Sequence, residues 1–138
     1  MKKHIQILII LPLVFLLVCG LGAVNHREGE AEGSPIVTLT QKNYEQETST
    51  GVVLVDMWAP WCGPCRKMAP DIKAIAEENE SKIKVGKMNV ENYKRFAIKL
   101  GVEMLPTVIV YKDGVEKERA VGRLSKADLQ ALVDKYTV

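Results

Sequence analysis

Cysteine is scarce in this chain of 138 residues: Cys19, Cys62 and Cys65 are the full set. Three cannot build the disulfide framework of a small secreted scaffold, so a packed core must hold the domain. Histidine is scarcer still. His4 belongs to a basic N-terminus and His26 to a polar linker, and neither has partners at metal-ligand spacing. A basic excess is also missing. The formal net charge is +2, and Lys2 and Lys3 supply it; from His4 onward, 17 Lys and Arg balance 17 Asp and Glu. Nothing there points to nucleic acid, which calls for a clustered basic face. There are no internal repeats. The length suits one domain of ordinary size with a short extension.

Charge is absent altogether between Lys3 and Arg27. Two lysines before the apolar stretch Ile5 to Val24 form the pattern of an export signal, and the stretch is also long enough to span a membrane. With the lysines held inside, the rest of the chain faces the far side. Three fates stay open for residues 1–24. FLLVCG resembles a bacterial lipobox, which would make Cys19 a lipid-bearing N-terminus, although Val18 stands where Gly, Ala or Ser is usual. Cleavage after Gly20, Gly22 or Ala23 is the second. Retention as an anchor is the third, with Pro12 inside the helix. Cys19 is otherwise a small hydrophobe in a signal core. Residues 25–35, ending GEAEGSP, read as a flexible tether.

Residues 36–138 read as the domain. Ile36 to Leu39 is a short strand, and Thr40 caps a short helix to about Thr48. Val52 to Trp58 is apolar nearly throughout, as in a strand covered on both faces. A helix from Cys62 to about Glu80 carries Met68, Ile72, Ile75 and Ala76 as apolar positions, with Pro70 inside it as a source of a kink. Ile83 to Asn89 is a strand, and Asn92 to Leu100 a helix stopped by Gly101. Thr107 to Tyr111 and Val115 to Val121 form an antiparallel pair around Lys112-Asp113-Gly114. Ser125 and Asp128 open a last helix in a capping-box pattern, with Leu129, Leu132, Val133 and Tyr136 on one face. The order implies an α/β fold: a mixed sheet with helices on both faces.

The chemistry lies in VVLVDMWAPWCGPC, Val52 to Cys65. A strand that delivers a Cys-x-x-C pair to a helix N-terminus is a redox device. Half of a zinc site is the competing reading, but it lacks two ligands. A purely structural disulfide is a poor one, because so small a ring restrains the unfolded chain little. Asp56 lies in the apolar strand, where burial raises a carboxyl pKa and suits it to proton transfer. It is otherwise a satisfied structural carboxylate, and Lys87 a solvated edge residue.

The stretch WCGPC, with Asp56 and Trp58 upstream, resembles the thioredoxin family from about Ile36 to the C-terminus. Pro70, Lys87, Pro106 and Gly122 stand where that family would have them. The resemblance implies the thioredoxin fold and a thiol–disulfide oxidoreductase. It makes Cys62 the nucleophile, Cys65 the resolving thiol, Asp56 the acid that assists Cys65 and Lys87 its companion. Leu105-Pro106-Thr107 matches the loop with a cis proline. Trp58, Trp61, Gly63, Pro64, Leu105, Pro106 and Gly122 become the substrate-binding rim, flanked by Met104 and Arg123 where smaller residues are usual. The Gly63-Pro64 dipeptide resembles reducing members of the family. The implied protein is a monomer that uses no cofactor or metal. Its partners are disulfide-bearing proteins and an electron donor in the membrane or periplasm. Disulfide oxidation or isomerisation, and a non-enzymatic binding module, are the alternatives.

Overall fold

The computed structural model describes residues 35–138. The signal or anchor assigned to 1–24, including Cys19, and all but the last residue of the 25–35 tether lie outside the described residues. Among the described residues, five strands form one sheet: β1 (Ile36–Leu39), β2 (Val52–Trp58), β3 (Lys84–Asn89), β4 (Thr107–Lys112) and β5 (Val115–Val121). Three helices connect strands, α1 (Tyr44–Thr48), α2 (Gly63–Glu78) and α3 (Lys94–Lys99), and a fourth, α4 (Lys126–Thr137), follows β5. The strand order is β1-β3-β2-β4-β5. β1, β3 and β2 run parallel, whereas β4 and β5 are antiparallel. Among the described residues, no helix is long and apolar enough to cross a membrane.

β2 is central because its sequence tolerates water on neither face. Val52 through Met57 are all buried. Successive side chains alternate between the faces. Val53, Val55 and Met57 join Tyr44 of α1 and Ala97 of α3 in one core cluster. Val52 and Leu54 join Met68, Ile72, Ile75 and Ala76 of α2, and Leu129 and Val133 of α4, in the other. Leu132 and Tyr136 pack at its margin. At Gly86 of β3 any side chain would force a neighbour to shift. A Cβ there would lie 2.6 Å from Leu39 Cδ1, and Leu39 is itself buried.

The element ends depart from the sequence expectation in instructive ways. Thr40 caps a turn rather than the helix: its N–H donates to Asn43 Oδ1 at 2.6 Å and its Oγ1 accepts from the Asn43 N–H at 3.3 Å. Helix α1 therefore starts at Tyr44. Asn92 and Tyr93 donate three residues back, to Asn89 and Val90, so that region is a turn and α3 begins only at Lys94. Helix α2 runs through Pro70 and stops at Glu78. The Ser125–Asp128 capping box is complete, with both reciprocal bonds made. The hairpin turn uses positive φ at Asp113 and Gly114, the backbone twist that suits a two-residue loop.

Candidate active site

β2 ends at Trp58, and four residues later Cys62 caps α2 in an extended conformation. The Cys62 N–H donates to Ala59 O at 3.1 Å, which tightens the connection. Arg66 closes it from outside, donating through Nη1 to Pro60 O at 3.0 Å. Arg66 escaped the sequence reading because an exposed arginine in a helix carries no signal of the backbone it will reach. Cys62 and Cys65 are joined by a disulfide, and both are buried. The Cys65 N–H donates to Cys62 Sγ at 3.2 Å. In the reduced protein that donor and the helix N-terminus favour a negative charge on Cys62. Pro64 occupies the first turn of α2, where its missing N–H leaves no bond unmade.

Asp56 is 1% exposed. Its place in β2 turns it to the same face as Val52 and Leu54, under α2. Strand register sets Lys87 of β3 directly beside it. Lys87 Nζ lies 3.6 Å from Asp56 Oδ2, an ion pair too long for a hydrogen bond. Neither carboxylate oxygen has a hydrogen-bond partner among the described residues. Burial therefore dominates. It pushes the Asp56 pKa up to about 6, and the Lys87 charge offsets only part of that rise. The Lys87 ammonium also sits 4.9 Å from the centroid of the Trp58 ring. Lys87 thus stands beside Asp56 and is not a fully solvated edge residue. Trp58 is half-buried against the core and carries that lysine, whereas Trp61 is 64% exposed beside Cys62.

The Leu105–Pro106 bond is cis. Gly122 donates its N–H to Pro106 O at 2.8 Å and holds φ at +97°. A Cβ at Gly122 would meet nothing within 4 Å. Its positive φ is what asks for glycine there. Gly63 likewise has open space around it. A groove of about 250 Å³ runs from Trp61 past Ala97 and Ile98 to Met104 and Leu105. Met104 and Ile98 are both largely exposed on it. Ile98 was not foreseen; its signal was an apolar residue next to the buried Ala97 on a short helix. Arg123 is exposed beside Gly122. Among the described residues, no cluster of three His, Cys, Asp or Glu side chains is placed to hold a metal.

A thioredoxin family profile matches residues 35–135. The chain belongs to the thioredoxin family. Thioredoxin from Bacillus subtilis (strain 168) is 45% identical over 101 residues, covering 73% of this chain and 97% of that one. Thioredoxin from Listeria monocytogenes serovar 1/2a is 41% identical over 98 residues, covering 71% and 95%. Among solved structures, a mutant thioredoxin from Halobacterium salinarum NRC-1 superposes with a TM-score of 0.71 at 32% identity, covering 77% of this chain and 96% of that one. Family and redox pair together make this chain a thiol–disulfide oxidoreductase, a protein-disulfide reductase acting on disulfide-containing substrates.

Proposed function

We propose that this reductase works in the envelope of a bacterial-type cell, held at the outer side of the inner membrane by residues 1–24. The observation that carries the location is the N-terminal sequence: two lysines, then an apolar run without charge until Arg27. Residues 25–35 tether the domain of residues 36–138 near its partners and raise its effective concentration there. The site works as a dithiol. The Cys62 thiolate attacks one sulfur of a substrate disulfide. A Cys62–substrate disulfide forms, and the other substrate sulfur leaves as a thiolate and takes up a proton. Asp56 accepts the proton of the Cys65 thiol, a role that suits a carboxylate whose pKa lies near 6. Lys87 tunes that carboxylate. The Cys65 thiolate then attacks Cys62 Sγ, closes the Cys62–Cys65 disulfide and releases the second substrate thiol. Two electrons pass from the dithiol to the substrate.

An extended substrate segment pairs with the Leu105 backbone, which makes no hydrogen bond among the described residues. Trp61, Leu105, Pro106 and Gly122 line the approach, with Gly63 and Pro64 at the cysteines. A membrane or periplasmic dithiol re-reduces the pair. The test is a Cys65→Ser chain expressed with its N-terminal segment in a bacterial host. It should trap envelope proteins as mixed disulfides through Cys62, and Cys62→Ser should trap none. Captured proteins confined to the cytoplasm would overturn the location. Capture of none at all would overturn the resolving role of Cys65.

A further inference from the structure

The segment between α3 and β4 carries Leu105 and Pro106, and its two ends are anchored differently. At the start, the Gly101 and Val102 amides donate to Ile98 O and Ala97 O at 2.9 and 3.0 Å. At the end, Thr107 Oγ1 donates to Met104 O at 2.7 Å, and the Gly122 N–H holds Pro106 O. Between these ends, one side chain takes both the Leu100 and the Gly101 carbonyl. Arg119 donates through Nη2 to Leu100 O at 2.8 Å and through Nη1 to Gly101 O at 2.9 Å. The other edge of its guanidinium is occupied too. Nε and Nη2 donate to Glu116 Oε1 and Oε2 at 2.8 and 2.9 Å. A planar fork held on both edges has little freedom.

Register explains how the arginine gets there. Arg119 lies opposite Ile109, and Ile109 faces the cluster of α1 and α3. A cation beside the last carbonyls of α3 also suits the helix dipole. The segment is thus gripped twice from this side: through Arg119 of β5 at residues 100 and 101, and through Gly122, just past the end of β5, at Pro106.

We infer that Arg119 is a positioning residue for substrate binding. By clamping the Leu100 and Gly101 carbonyls it fixes where the Leu105 backbone meets the substrate. It touches no reacting atom. The inference rests on the reading that the Leu105 backbone receives the substrate. A purely structural role would lower stability and leave the folded protein's affinity unchanged. A positioning role shows in KM.

The experiment is insulin reduction, with a small dithiol in excess to re-reduce the Cys62–Cys65 pair, by the full chain and by Arg119→Ala and Arg119→Lys, at a temperature where circular dichroism shows every variant folded. Arg119→Ala should raise KM about tenfold, the equivalent of one to two well-aligned hydrogen bonds, with kcat little changed. Arg119→Lys keeps the charge and one contact but loses the fork, and should fall between. An unmoved KM in folded Arg119→Ala overturns the inference. So does full recovery by lysine, which would assign the effect to charge alone. Should Arg119→Ala not fold, Glu116→Ala frees the far edge of the guanidinium and should move KM in the same direction; no movement there overturns the inference. A second measurement separates this inference from the reading beneath it. A cysteine peptide is joined to Cys62 of the Cys65→Ser chain, with Arg119 intact, and amide exchange at Leu105 is followed. Slowed exchange supports the Leu105 reading, so an unmoved KM then counts against Arg119 alone. Unslowed exchange overturns both.

Discussion

Replacing Asp56 with asparagine should make the oxidised protein more stable at neutral pH. The carboxyl is 1% exposed, and its pKa is raised from 3.8 to about 6, chiefly by burial. A shift of roughly 2 pKa units at about 1.4 kcal/mol each means that holding the charge costs the native state about 3 kcal/mol. The pull of Lys87 is already inside that figure. Asparagine has nearly the shape of the protonated acid, so both leave buried polar atoms in the same places and that term cancels. The sign follows from linkage. Between pH 3.8 and 6 the native state keeps a proton that the unfolded chain has released. Its stabilisation is complete below 3.8 and is lost as pH rises through 6. The difference between Asp56→Asn and the unmodified protein should therefore be near zero below pH 3.8 and grow to about 3 kcal/mol in favour of the variant above pH 6. Urea unfolding of the oxidised forms across that range measures it. A difference independent of pH, or a variant less stable at about pH 7.5, would refute the reasoning. Because Asp56 is the proposed proton acceptor, the more stable variant should also reduce disulfides more slowly.

Lys87→Met removes the charge that restrains Asp56, so the carboxyl pKa should rise further, and a carbon-13 NMR titration of the Asp56 carboxyl should follow it upward. Gly86→Ala forces a methyl against the buried Leu39 and should cost about 1–3 kcal/mol in chemical denaturation. Ser125→Ala removes the cap of α4 and should cost about 1 kcal/mol, read in the same way.

What was legible from sequence was local. The run Val52 to Cys65 holds a strand, a turn and a helix start in one stretch, so the cysteines, Pro64 and the burial of Asp56 follow from neighbours in the chain. The four apolar positions of α2 followed from helical period for the same reason. The place of Lys87 came only with the family resemblance, because its company with Asp56 depends on the register between β2 and β3, and alternation within one strand cannot supply that. Arg119 is harder still: its partners are a carboxylate three residues away and two carbonyls in the segment between α3 and β4. Such side-chain grips on backbone leave no compositional trace. Helix starts moved for a related reason. Asn89 and Val90 carbonyls captured the amides of Asn92 and Tyr93, and only coordinates reveal which acceptor wins.

The chain contains two tryptophans, and both stand at the redox site. Trp61 is the residue before Cys62 and largely in water, while Trp58 is half-buried under the Lys87 ammonium. The protein therefore carries its own optical reporter. Its tryptophan emission comes from the neighbourhood of the cysteines alone, with no background from the far side of the sheet. A change in that emission as the Cys62–Cys65 bond opens reads the working state of the site directly, in unlabelled protein, on the timescale of the reaction itself.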